Sequence, residues 1–175
     1  MIQGPKRVFA AALLAGTLAS CASQRPDPLP GYRAASTDER AAVMRTIDDY
    51  YSRRARAAVS GDAATIFAAY PKLAEGEDRT SGVNTDAFFV ERMRNLSLTD
   101  VRFAIEDREP ARVYLKEDRA AVFVHGTETW RYPRGDAMIG EFYTRLELSR
   151  NVESWLIVRT DEVLLSERPP RTPAP

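Results

Sequence analysis

The stretch AAVFVHGTETWRYPRGDAMIGEFYTRLELS, Ala120 to Ser149, decides the fold. Apolar and polar residues alternate on both sides of Tyr132 to Asp136, and a period of two across a short turn rich in Pro and Gly marks an antiparallel β-hairpin. Centring the turn at Arg134 pairs Trp130 with Met138, Glu128 with Gly140, Gly126 with Phe142, Val124 with Thr144 and Val122 with Leu146. In this register apolar partners meet across the strands. The opposite face then carries His125 against Tyr143, among Phe123, Thr127, Glu141 and Arg145.

The same period extends outward. Val101, Phe103 and Ile105 alternate with Arg102, Ala104 and Glu106; residues 111–116 and 154–164 follow the pattern, and the turns at Lys116 to Arg119 and Arg150 to Glu153 suit hairpins. These read as successive antiparallel strands. In the last of them two registers remain open, one turning Trp155 and Ile157 inward and the other Leu156 and Val158.

Before Ser97 the period is 3.6. Ser36 with Glu39 fits a capping box, Gly61 a stop, and between them Thr37 to Ser60 forms a long amphipathic helix. At 100° per residue Val43, Met44, Ile47, Tyr50, Tyr51, Ala55 and Ala58 share one arc, and Arg54 falls inside it. Asp62 caps a second short helix ended by Pro71; a third runs from Thr85 to Leu96 with Phe88, Phe89 and Met93 as apolar anchors. Lys72 to Asn84 reads as a surface loop long enough to act as a lid. Helices first and a bent sheet afterwards make an α+β fold with three N-terminal helices covering a curved antiparallel sheet.

The two ends differ from this domain. Lys6 and Arg7 precede an apolar run from Val8 to Leu18, about a dozen residues and too short to span a bilayer, so residues 1–20 read as an export signal. Leu18-Ala19-Ser20-Cys21 resembles the bacterial lipobox, which implies cleavage before Cys21 and acylation of that residue. The resemblance implies a lipoprotein anchored by acyl chains, palmitate among them, in the cell envelope; Ala22 after the cysteine implies an outer membrane, facing the periplasm, in a Gram-negative cell. Residues 21–35, with Pro26, Pro28, Pro30 and Gly31, read as the lipidated cysteine and a flexible linker, residues 36–165 as the domain, and the proline-rich 166–175 as a disordered tail.

Composition narrows the function. Twenty-five basic and twenty-five acidic residues give a net charge of zero, unlike the basic footprint of a nucleic-acid binder. One histidine, one cysteine and scattered glycines supply neither a metal set nor a phosphate loop, so no metal and no cofactor is expected. Asp48 and Asp49 point 100° apart on their helix and read as solvated.

The element order, the segment Ile47-Asp48-Asp49-Tyr50-Tyr51 followed by Gly61-Asp62, and the closing strand Ser154-Trp155-Leu156-Ile157-Val158 together resemble the NTF2-like superfamily, also called SnoaL-like or cystatin-like. That resemblance implies a cone-shaped pocket, with the convex side of the sheet as a dimer surface. Ile47, Tyr51, Arg54, Glu128, Trp130 and Phe142 are its expected lining. Glu128 either pairs with Arg54 inside the cone or sits at the rim with Arg54 reaching out from its helix. His125, Tyr143 and Arg145 are the expected interface of a homodimer. No complete catalytic set of the superfamily can be placed on these residues. The expectation is therefore a membrane-tethered domain that binds a small apolar ligand or an envelope protein without catalysis. Two alternatives stand beside it: a cyclase- or isomerase-like enzyme with Glu128 as base and Tyr50 or Tyr51 as donor, and a scaffold of an envelope complex.

Overall fold

The computed structural model describes residues 29–75, 85–106, 112–152 and 154–168. The export signal, Cys21, residues 76–84 of the loop read as a lid, and the tail beyond Arg168 lie outside the described residues. Among the described residues no helix is long and apolar enough to cross a membrane.

The order is β1 (Arg33–Ala34), α1 (Thr37–Ser60), α2 (Ala64–Phe67), α3 (Pro71–Glu75), α4 (Thr85–Leu96), β2 (Asp100–Ile105), β3 (Arg112–Lys116), β4 (Arg119–Arg131), β5 (Ala137–Arg150) and β6 (Trp155–Arg168). The fold is α+β, with a six-stranded antiparallel sheet. The capping box closes at the start of α1, where Ser36 Oγ accepts from the Glu39 amide and Glu39 Oε2 from the Ser36 amide at 2.9 Å. Gly61 ends the helix at φ +71°, a left-handed conformation in which a Cβ is strained. Val43, Ile47, Tyr50, Tyr51, Arg54, Ala57 and Ala58 are buried along α1.

The β4–β5 hairpin pairs Trp130 with Met138, Glu128 with Gly140, Gly126 with Phe142 and His125 with Tyr143, the register read from the alternation. Four features differ from the sequence reading. Pro71 opens a helix instead of only ending one, because the first helical position needs no N–H; the described residues thus hold four helices, not three. Phe88 is 58% exposed, while Phe89 and Met93, on the other side of α4, are buried. Arg33 and Ala34, read as linker, pair with Leu115 and Tyr114. Strand β6 continues through Ser166 to Arg168, past the Leu164 end point, because β5 is long enough to offer partners up to Ile139.

The sheet is also not a simple meander. Thirteen-residue β4 carries β2 against Gly126 to Arg131 and β3 against Arg119 to Phe123 along the same edge. Its inner residues Val122, Val124, Glu128 and Trp130 are buried, the three apolar ones in one core with Ile47 and Tyr51 of α1 and Phe89 and Met93 of α4. At Gly126 an added Cβ would stand 2.5 Å from the Ala104 carbonyl oxygen and 2.9 Å from Phe142 Cζ, so only glycine lets β2 and the Phe142 ring approach.

Candidate functional site

All six residues expected to line the cone are buried: Ile47, Arg54 and Phe142 fully, Trp130 and Glu128 almost so, and Tyr51 at 5% exposure. The walls are aromatic. The Tyr51 ring lies 5.0 Å from Phe103 and 5.5 Å from Phe142, and the Arg54 guanidinium stands 4.0 Å over Phe89.

A polar network runs through this apolar interior. Arg54 does not pair with Glu128. Both of its terminal nitrogens donate instead to Glu162 on β6, Nη2 to Oε1 at 2.6 Å, and its Nε lies 3.4 Å from Asp86 Oδ1 on α4. Tyr50 donates to Asp86 Oδ1 at 2.6 Å, Thr160 to Asp86 Oδ2 at 3.4 Å, and Thr144 to Glu162 Oε2 at 3.0 Å. Burial disfavours the guanidinium charge, but Glu162, Tyr50 and Asp86 together hold it protonated well above its ordinary value. Burial pushes the Asp86 carboxyl up against the pull of Arg54, and it raises both tyrosine hydroxyls.

Glu128 is left over. It is 2% exposed, its Oε2 accepts no hydrogen bond, and Gly140 opposite leaves just the space its carboxyl occupies, since a Cβ there would stand 3.0 Å from Glu128 Oε1. Burial pushes this carboxyl up to about 7, with Arg54 drawing it down and Glu162 pushing it further up. The Tyr51 hydroxyl and the Trp130 indole N–H are also buried without a hydrogen-bond partner. Arg54 Nε, in ion-pair reach of Asp86, also closes no hydrogen bond; buried polar groups are ordinarily satisfied, so four such atoms in one interior single it out as the candidate site. The interior holds three carboxylates for one guanidinium, and a proton near Glu128 relieves the excess negative charge.

A groove of about 410 Å³ runs along the seam between α1 and β2, lined by Tyr51, Phe103, Asp48, Ala55 and Arg102. Phe103 pairs across the strands with Glu128, so this lining lies beside the strand position of the carboxyl.

The remaining sequence candidates are placed elsewhere. His125 lies on the outer side of the sheet, with Nε2 2.9 Å from Glu141 Oε1 and Nδ1 3.5 Å from Glu106 Oε2. Tyr143 packs beside Phe123, and Arg145 donates to Glu147 at 2.7 Å. Asp49 is engaged by Arg53 and by the Tyr70 hydroxyl. Among the described residues no three metal-ligating side chains cluster. Asp86, Glu162, Thr144 and Thr160 were missed by the sequence reading. Asp86 reads from sequence as a first-turn acid suited to the helix dipole, and Glu162 is concealed by a bulge in β6.

No family model and no curated protein matches the chain. Solved structures do. A candidate scytalone dehydratase from Novosphingobium aromaticivorans matches at TM-score 0.52 and 12% identity, over 79% of this chain and 95% of that one. An NTF2-like protein with a cystatin-like fold from the same species gives 0.49 and 20%, over 74% and 90%. A hexachlorocyclohexane dehydrochlorinase from Novosphingobium barchaimii gives 0.48 and 12%, over 77% and 94%. At 12% identity the likeness to the first of these is one of fold alone: this chain shares with it an α+β architecture of helices packed on an antiparallel sheet.

Proposed function

We propose that the domain binds a small ligand in the cone, with Glu128 and Tyr51 as its polar contacts, and that this binding, without turnover, is its function. The observation that carries the reading is the Glu128 carboxyl, buried beside the aromatic lining of a groove with an Oε2 that accepts no hydrogen bond. A ligand with an apolar body and one group able to exchange a hydrogen bond suits such a place. The arginine of the interior is already engaged by Glu162 and Asp86, so it is not free to receive an anion. The lipobox segment Leu18 to Cys21 supports a tether: acyl chains on Cys21 would hold the domain at the envelope, on the outer membrane facing the periplasm in a Gram-negative cell. The face around His125, Tyr143 and Arg145 is then available for a second copy or an envelope partner.

A second reading is favoured by one observation, the displacement of Glu128 to about 7. A carboxyl titrating near neutrality suits general acid or base catalysis, with Tyr51 as donor. Native mass spectrometry of the full chain, purified in mild detergent from its own membrane, separates the two. A retained molecule of constant mass, lost in Glu128→Gln, supports binding; its conversion to a product of different mass supports turnover. No adduct in wild type or variant removes the cone as the site. Palmitate labelling that survives Cys21→Ser would remove the tether.

A further inference from the structure

A second groove, of about 550 Å³, lies away from the cone, between the N-terminal half of α1, the residues before α3 and the start of β6. Its size is that of small-molecule sites. Hydrogen bonds tie its three walls together. The Tyr70 hydroxyl donates to Asp49 Oδ2 at 2.8 Å and lies 3.2 Å from the Thr46 carbonyl, and Thr46 Oγ1 donates to the Trp155 carbonyl at 3.4 Å. The floor is apolar, with Trp155, Leu156, Ala42 and Ala69.

The charges around this floor do not balance. Asp49 is neutralised by Arg53, whose Nε stands 2.7 Å from Oδ2, and that hydrogen bond holds the carboxyl below its ordinary value. Two further arginines border the groove. Among the described residues, the Arg45 side chain has no hydrogen bond or ion pair, and the Arg150 guanidinium has only the Trp155 ring, 5.7 Å away. Guanidinium groups are flat forks that match carboxylate and phosphate oxygens, and one stacked on an indole keeps its N–H edge free to do so.

We propose that this groove binds an anionic amphiphile, with a carboxylate or phosphate head between Arg45 and Arg150 and an aliphatic or aromatic body on Trp155 and Leu156. The site is separate from the cone, and the proposal stands whether or not the cone binds anything. The chain has two tryptophans, one in each place, so indole N–H resonances of the 15N-labelled full-length protein report on the two sites separately.

Sodium decanoate, below its micellar concentration, is expected to move the Trp155 resonance saturably and leave Trp130 in place. Decanol, of equal length without the charge, and the double variant Arg45→Gln/Arg150→Gln are each expected to bind at least about tenfold more weakly, the scale of one lost charge-assisted hydrogen bond. An unmoved Trp130 resonance in the variant shows that it is folded. A Trp155 resonance that ignores decanoate, equal binding of decanol, or undiminished binding by the variant overturns the proposal, as does a response confined to Trp130. In a Cys21→Ser background, which removes the proposed acyl anchor, flotation with phosphatidylglycerol vesicles that is lost on adding Arg45→Gln/Arg150→Gln identifies the head as that of a membrane lipid; decanoate binding without flotation identifies a free amphiphile.

Discussion

Strand β4 presents two chemistries on alternate residues. Its outer face carries His125, half-buried and flanked by Glu106 and Glu141, with Phe123 on one side packed against Tyr143. Its inner face carries Glu128, three residues on, with a carboxylate oxygen that nothing in the described chain satisfies. The histidine, whose side chain invites acid–base work, lies on the open side between two carboxylates, hydrogen-bonded through Nε2 to Glu141 with Nδ1 3.5 Å from Glu106. The carboxyl, ordinarily the weaker candidate near neutrality, lies on the enclosed side, where desolvation changes its proton affinity. The contrast shows that in this molecule the surroundings of a group, more than its type, decide whether it can serve a ligand.

If the inner network is dry and mutually dependent, Arg54→Leu strands Glu162 and Asp86 and is expected to cost about 3–5 kcal/mol in urea unfolding, whereas a loss below about 1 kcal/mol would mean that water reaches these groups. The second test is on Glu128. The folded protein keeps its proton up to about pH 7, while the unfolded chain releases it near 4.5. The native state therefore binds more protons within that window, and stability falls as pH rises through it, by up to about 3 kcal/mol above pH 7. Glu128→Gln is expected to match the wild type near pH 4 and to exceed it at pH 8 by up to that amount; parallel stability curves would dissolve the contrast between the faces. Gly126→Ala brings a methyl against the Ala104 carbonyl and the Phe142 ring, for an expected loss of about 1–3 kcal/mol seen as a lowered urea midpoint. On the outer face His125→Gln, which removes one partly exposed hydrogen bond to Glu141, is expected to change stability at neutral pH by less than about 1 kcal/mol in urea unfolding.

Much of the fold is legible in local periodicity. The capping box at Ser36 and Glu39, the stop at Gly61 and the alternation across Arg134 each depend on neighbours in sequence, and each forms as read. Pro71 misleads because the same residue that ends one helix can begin the next. The candidate site divides on the same line. Glu128 and Arg54 are visible because each interrupts an apolar pattern. Glu162 is hidden because β6 changes phase: Trp155 and Ile157 point inward, a register shift opposite Glu147 and Leu148 takes up one residue, and Thr160 and Glu162 then face inward in their turn. The register that turns Trp155 and Ile157 inward is the one that forms; Leu156 and Val158 do not face inward, and the opposite phase begins only past the bulge, at Thr160. Arg54 finds its partners 32 and 108 residues away in the chain, Asp86 and Glu162, a pairing that no local pattern carries.

The most direct measurement is a carbon-13 NMR titration of the Glu128 carboxyl in the folded protein, assigned through its loss in Glu128→Gln. A midpoint near 7 is the predicted result, for a carboxyl desolvated on the inner face. A midpoint near 4.5, the value of a carboxyl open to water, would contradict it and with it the place of Glu128 at the centre of the site.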